Sequence, residues 1–323
     1  MFLMRFDMRA PAFGASAGDL YAAALDMAAW SEGKGCAAVV VSEHHASPDG
    51  YLPSPLLLAS AIAARTASMP IQVAALLLPF YEPVRLAEDM AVLDIVSRGR
   101  VSYVFGLGYR DEEFEMFGVQ RRGRGRRAEA AIEFLRLAWS GEPFEYEGRR
   151  VHVTPAPFTS GGPVLMLGGS SPAAARRAAR CGLGLYAQTS DPALEGIYRE
   201  ECVALDRAAE PCMIPPPGIV TSAFVAEDVD TAWNEMGPYL LHDARMYTEW
   251  LDGGSAAVTT AAATVDELRA ERGAYRIFAV DEAIEHVRQN GILVTQPLCG
   301  GLPPELAWRS LRLIAERVLP AVA

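Results

Sequence analysis

What most constrains this chain is a rhythm. Short apolar runs of strand length alternate, from end to end, with segments whose apolar residues recur at helical spacing. Phe2–Phe6, Ala37–Ser42, Ile71–Leu78, Arg100–Leu107, Val164–Leu167, Leu183–Ala187, Ile219–Val225 and Ile292–Gln296 read as strands. Asp19–Trp30, Leu56–Thr66, Pro83–Val96, Arg126–Trp139, Pro172–Cys181, Pro192–Arg207, Asp228–Leu251, Asp281–Gln289 and Pro304–Val318 read as helices, with Pro55 suited to a first turn and Asn290-Gly291 to a C-terminal cap. Eight such units in 323 residues predict an α/β protein, a (β/α)8 TIM barrel in one domain over residues 1–323. A doubly wound sheet has the same period, because alternation does not show closure. Tyr109–Gly125, Gly141–Gly162 and Gly253–Gly273 interrupt the rhythm and read as insertion loops at the C-terminal mouth, with Ser255–Thr264 expected to be poorly ordered until something binds.

In such folds chemistry sits where the core run stops. Ala37–Ser42 stops at Glu43-His44-His45, followed by the turn residues Ser47-Pro48-Asp49-Gly50. Adjacent imidazoles on extended backbone point to opposite faces. One can therefore face a pocket while the scaffold holds the other, which suits acid–base work, ligand contact or a purely structural hydrogen bond. The five histidines and five cysteines show no HxxxH or CxxC spacing, so no metal site is expected. Gly106 and Gly108 end the fourth strand, either as a plain loop or to let a flat ligand reach the backbone. Gly168-Gly169-Ser170-Ser171 opens a helix, either as a serine cap or as a phosphate cradle.

A net charge of −11 argues against a nucleic-acid partner. The basic run Arg121–Arg127 opens an amphipathic segment and reads as a solvated helix start or an anion site. No apolar stretch is long enough to span a membrane, and the start lacks a signal-peptide pattern. A soluble, cytoplasmic protein with reduced thiols is expected.

These pieces together resemble the bacterial luciferase-like flavin-dependent oxidoreductases. The matching segments are Ser42-Glu43-His44-His45, Leu78-Pro79 with Pro83–Asp89, Ser97-Arg98-Gly99-Arg100, Gly106–Arg110 with Glu113-Phe114 and Phe117-Gly118, Gly168–Ser171, and Gly300–Pro303. Where luciferase proper carries Cys-Arg, this chain has Gly106-Leu107, so the likeness is to the non-luminous branch. The resemblance implies reduced FMN at the barrel mouth, delivered by a separate flavin reductase. It also implies dioxygen chemistry through a flavin 4a-hydroperoxide on a small organic substrate, and a homodimer packing its second and third helices. A deazaflavin-dependent hydride transferase on the same barrel is the alternative within the family; a non-catalytic flavin binder is the alternative outside it.

The resemblance assigns roles as well. His44 matches the catalytic histidine, with His45 and Glu43 beside it. Ala74-Ala75 matches a bulge that supports the flavin ring, commonly through a non-proline cis peptide. Gly106, Gly108, Tyr109 and Arg110 match the strand-four segment beside the cofactor. Gly169, Ser170 and Ser171 match the phosphate cradle, with Arg176 or Arg177 as charge partner. Met246, Tyr247 and Trp250 read either as a pocket wall or as helix core.

Overall fold

The computed structural model describes residues 1–251 and 258–322. In chain order the elements are β1 (Phe2–Phe6), α1 (Ala17–Ser31), β2 (Cys36–Val41), α2 (Pro55–Arg65), β3 (Ile71–Leu77), α3 (Pro83–Ser97), β4 (Val101–Gly106), α4 (Asp111–Phe117) and α5 (Arg124–Ala138). There follow β5 (Phe144–Tyr146), β6 (Arg149–Val151), β7 (Leu165–Gly168), α6 (Pro172–Cys181), β8 (Gly184–Tyr186), α7 (Ala193–Ala204), β9 (Cys212–Met213) and β10 (Ser222–Ala226). The chain continues through α8 (Val229–Trp250), α9 (Val265–Glu271), β11 (Tyr275–Ala279), α10 (Val280–Asn290), β12 (Leu293–Thr295) and α11 (Pro304–Leu313). It divides into two compact units, residues 1–53, 68–70 and 216–323, and residues 54–67 and 71–215.

In the first unit β12, β1 and β2 run parallel, with Phe2 opposite both Leu293 and Cys36. Phe2, Met4 and Phe6 of β1 are buried at alternate positions, the period of a strand. A second parallel pair, β10 and β11, runs in register from Ser222 opposite Tyr275 to Ala226 opposite Ala279. Helix α1 shows the sequence logic at both levels. Ser16 caps it by accepting from the Asp19 amide, and Leu20, Ala23, Ala24, Met27, Ala28 and Ser31 form its buried stripe. At the far end of the unit Gly291, at φ 76°, closes α10 as expected.

In the second unit the parallel order is β3-β4-β7-β8-β9. Both units thus lay parallel β on α, the α/β class that the alternation predicts.

Several elements lie inside stretches expected to be loops. The segment Tyr109–Gly125 holds α4, whose Phe114 and Phe117 rings pack on Phe80 with centroids 4.9 Å away in both cases. The segment Gly141–Gly162 holds the β5–β6 hairpin, turned by Glu147 and Gly148, both at positive φ as short hairpin turns require. In the third stretch, residues 253–257, and with them the start of the segment 255–264, lie outside the described residues. From Thr260 onward the chain is tied down rather than loose. The Thr260 amide donates to Thr248 Oγ1 at 2.9 Å, its hydroxyl donates to the Glu271 carboxylate at 2.8 Å, and Thr264 caps α9.

Candidate active site

Helix α1 returns the chain to β2, whose apolar end Val39-Val40-Val41 is buried, and the next polar residues remain inside. Glu43 is 2% exposed, His44 and His45 7% each. The loop that follows is laced to the extension of β1: the Leu52 amide donates to the Asp7 carbonyl, the Ala10 amide to the Asp49 carbonyl, and the His44 amide to the Leu52 carbonyl. Two non-glycine residues of this pair of segments, Met8 (φ 62°) and Ala46 (φ 51°), sit in the left-handed region, a strain that collects at functional sites.

The two histidines meet different surroundings. His45 Nε2 lies 2.9 Å from Glu43 Oε1. A carboxylate only accepts, so whenever Glu43 is ionised Nε2 is the nitrogen that carries the proton. The His44 ring instead meets Tyr51 edge-on (centroids 5.0 Å, 77°) and Trp250 at a tilt (4.8 Å, 57°).

Behind that aromatic wall lies a buried charge cluster. Arg9, fully buried, donates from Nη1 to Asp49 Oδ2 at 2.7 Å. Its Nε is 2.8 Å from Asp243 Oδ1 and 3.5 Å from Asp7 Oδ2. Gln296 Nε2 donates to Asp7 at 2.6 Å, the Tyr275 hydroxyl to Asp243 at 2.8 Å, and His242 Nε2 stands 2.9 Å from Asp49. Burial works against the Arg9 charge, but Asp243 and Asp7 outweigh it and hold the guanidinium well above its ordinary pKa. The carboxylates respond in opposite directions. Burial and then the neighbouring Asp243 charge push Asp7 well up, beyond what Arg9 recovers. Burial acts on Asp49 too, yet the His242 hydrogen bond and the Arg9 charge win and bring it down.

In the second unit the Ala74–Ala75 peptide is cis, and the register of β3 against β4 shifts between Ala74 and Leu76. Gly106 of β4 faces this shift. A Cβ there would stand 2.9 Å from the Ala75 Cβ and 3.1 Å from Leu77, so only a bare backbone fits. At the end of β7, Gly169 has φ 154° and a Cβ would lie 2.5 Å from that of Ala174. Ser171 then caps α6, its Oγ accepting from the Ala174 amide at 3.2 Å. Ser170 and Ser171 are exposed at this helix start.

A family model described as luciferase-like monooxygenase matches residues 4–291. The chain belongs to that family. Among its curated relatives, the alkanal monooxygenase alpha chain of Photorhabdus luminescens is 28% identical over 158 residues, 47% of this chain and 44% of that one. The oxygenase component of the flavin-dependent trigonelline monooxygenase of Acinetobacter baylyi is 27% identical over 131 residues, 40% and 36% of the two chains. The chain thus spans less than half the length of the curated relatives it matches. The monooxygenase RslO1 of Streptomyces bottropensis has the same fold over 100% of both chains (TM-score 0.79, 24% identity). So does an FMN complex of the oxygenating constituent of 3,6-diketocamphane monooxygenase from Pseudomonas putida, over 100% and 99% (TM-score 0.72, 18% identity).

Of the remaining residues singled out in this family member's sequence, Gly108 is buried at φ 69° against Phe80 and Phe114, and Tyr109 is half-buried. Arg110 is buried with Nη1 3.6 Å from Glu113. Arg176 is half exposed and turned to Glu201 of α7 at 3.8 Å. Arg177 lies instead over the start of α5, where a Cβ on Gly125 would strike its guanidinium, and it pairs with Glu129 at 3.2 Å. Burial, then Arg121 and Arg177, depress the pKa of the neighbouring Arg124, so positive charge is concentrated there. The basic run is also a helix start: Arg121 pairs with Asp111, and Arg127 donates to the carbonyls of Arg122 and Gln120.

Sequence reasoning passes over Arg9, Tyr51 and Asp243. The signal for Arg9 is present, since Asp7-Met8-Arg9 follows the end of β1 as Glu43-His44-His45 follows β2. Asp243 carries none, being one acid within a long helix.

Proposed function

We propose that this protein is the oxygenase component of a two-component, cytoplasmic system that receives reduced FMN from a separate flavin reductase and oxidises a small organic substrate with dioxygen. The observation that carries the reading is the buried Glu43-His44-His45 strand end, with His45 held by Glu43, in a chain of the luciferase-like monooxygenase family. The reading includes a (β/α)8 barrel over residues 1–323.

The residues present fit a flavin. Ala74, Ala75 and Gly106 offer backbone and methyl groups with no room for a larger side chain at Gly106, as a flat ring against backbone requires. Gly108, Tyr109 and Arg110 would flank it. The Gly169-Ser170-Ser171 segment at the start of α6 suits a phosphate, with Arg176 or Arg177 as charge partner, each already paired with a glutamate (Glu201 and Glu129), and Arg124 beside Arg177 adding positive charge. Bound reduced FMN would supply the electrons and the activation of dioxygen. The protein's share is to exclude water and move one proton. His44 is assigned that proton, since imidazole is the side chain that gains and loses one near neutral pH. Glu43 orients His45 beside it.

Homodimerisation is part of the same reading, supported by the exposed Leu57 (73%) on α2 and Val92, Ile95 and Val96 on α3.

The test is an anaerobic titration of the purified protein with FMN, reduced FMN and the deazaflavin coenzyme, followed by admission of air and candidate substrates. Tight binding of reduced FMN, with oxygen uptake stimulated by a substrate, is expected. Preference for the deazaflavin without oxygen uptake would move the protein to hydride transfer. Tight flavin binding with no stimulation by a broad substrate panel would leave a binder.

A further inference from the structure

We propose that Trp250 and Tyr51, both pinned by the guanidinium of Arg9, are positioning residues for the His44 imidazole. The inference rests on His44 as the proton-handling group and deepens that reading.

The geometry forms a chain of constraints within the first unit. Arg9 cannot swing, because Asp49, Asp243 and Asp7 hold it and it has no solvent to escape into. Its Cζ lies 4.2 Å from the Trp250 ring centroid, 4.8 Å from that of Tyr51 and 5.0 Å from that of Tyr247, all within cation–π range. The rings also fix one another: Tyr51 and Trp250 stand 5.7 Å apart, as do Tyr247 and Trp250. The Tyr51 hydroxyl donates to Ser42 Oγ at 2.7 Å and lies 2.9 Å from the Tyr247 hydroxyl. Ser42 precedes Glu43-His44-His45 directly, so one tyrosine touches the strand end at its tip and the His44 ring at its edge. The imidazole thereby rests against two immobilised rings at different inclinations.

Packing alone would not call for this construction. A buried guanidinium with carboxylates around it is costly to desolvate, and apolar residues of equal volume often stabilise a core as well or better. What the charged cluster adds is directional hold on the rings it touches. Proton transfer gains most from a fixed donor–acceptor geometry, and a displacement of about 1 Å can cost about 100-fold in rate.

The test compares Trp250→Leu, Trp250→Phe, Tyr51→Phe and Arg9→Lys with the unaltered chain. The first readout needs neither flavin nor substrate: NMR of protein labelled at histidine Cε1, with the His44 signal assigned through His44→Gln. The rings of Tyr51 and of Trp250 in α8 lie against His44, Glu43 and His45 adjoin it in the chain, and Tyr247 packs on both rings. Arg9, Asp7, Asp49, Asp243 and His242 lie behind them. Trp250→Leu should displace the His44 signal and move its titration midpoint by about 0.5 unit or more, with the His152 and His286 signals unmoved. Trp250→Phe should restore most of the difference, and Tyr51→Phe should give a smaller displacement. In oxygen-uptake assays kcat should fall about 10- to 100-fold in Trp250→Leu with KM nearly constant. A folded Trp250→Leu protein whose His44 signal and midpoint are unchanged overturns the proposal. If that variant does not fold, Arg9→Lys, which keeps the charge and loses the planar stack, decides on the same signal. Turnover retained in His44→Ala would remove the proton role of His44 while leaving its positioning by Trp250 to be judged by NMR alone.

Discussion

The two candidate halves of the chemistry are built from opposite materials. Around His44, in the first unit, side chains do everything: one guanidinium, three carboxylates and three aromatic rings fill a buried volume and leave little freedom. Around Ala74, Ala75 and Gly106, in the second unit, side chains are nearly absent, and the surface consists of peptide groups and methyls. The difference teaches where each is vulnerable. The first fails when charge or a ring is taken away; the second fails when an atom is added.

The largest expected effect is removal of the proton carrier. His44→Ala should leave FMN affinity within a few-fold of the unaltered protein and lower kcat by about 100- to 10,000-fold. Turnover close to that of the unaltered protein would sink the assignment of His44. Next comes Arg9→Met, which leaves Asp7, Asp49 and Asp243 buried without their cation. It should cost about 3 to 5 kcal/mol of folding stability in urea denaturation. A loss under 1 kcal/mol would mean that the cluster is far better hydrated than its burial indicates.

Addition in the second unit is the complementary break. Gly106→Val places its Cβ 2.9 Å from that of Ala75, so β3 or β4 must give way. Overpacking of this kind costs about 1 to 3 kcal/mol, and flavin affinity should fall together with stability. Gly273→Ala, at a glycine that like Gly106 lies outside the left-handed region but has open space about it, controls for the backbone effect of losing a glycine.

The same contrast explains what could be read from residue order. The strand end at Glu43-His44-His45 was legible because a β-branched apolar run stops at titratable groups. Arg9 follows β1 by the same rule, yet a lone Arg in a Pro-containing segment looks like any solvated loop. Its partners Asp49 and Asp243 are brought to it only by the tertiary fold. Ala74 and Ala75 carry no chemistry of their own, and only the family resemblance points to them. Among the fold elements, the Thr264-x-x-Glu267 pattern is a capping signature for α9, hidden behind an Ala-, Thr- and Gly-rich run. The hairpin β5–β6 is too short for a periodic signal.

A finer break uses the carboxylates on Arg9, whose pKa values move in opposite directions. Asp49 is held below its unfolded value, about 3.9 for an aspartate. Its stabilisation is therefore complete above that value and is lost as pH falls through the lower folded one. Asp7 is held above its unfolded value, so its contribution is complete in acid and is lost as pH rises through the folded one. Thermal unfolding from pH 3 to 8 should show Asp49→Asn destabilised at neutrality by about 1 to 3 kcal/mol, with the gap closing in acid. Asp7→Asn should instead gain on the unaltered protein as pH rises. Equal slopes for the two variants would contradict the opposite shifts.

The smallest effect separates a helix cap from a phosphate cradle at Ser171. Its Oγ already accepts from the Ala174 amide, which is sufficient reason for a serine there. Ser171→Ala should cost about 1 kcal/mol and Ser171→Gly only a few tenths, because glycine tolerates the cap position. If the hydroxyl only caps, FMN and riboflavin should lose affinity equally in Ser171→Ala. If Gly169, Ser170 and Ser171 cradle the phosphate, FMN alone should weaken and its advantage over riboflavin should shrink. Ser171→Gly sharpens the comparison: with the helix start nearly intact, any selective loss of FMN can be traced to the missing hydroxyl at the phosphate.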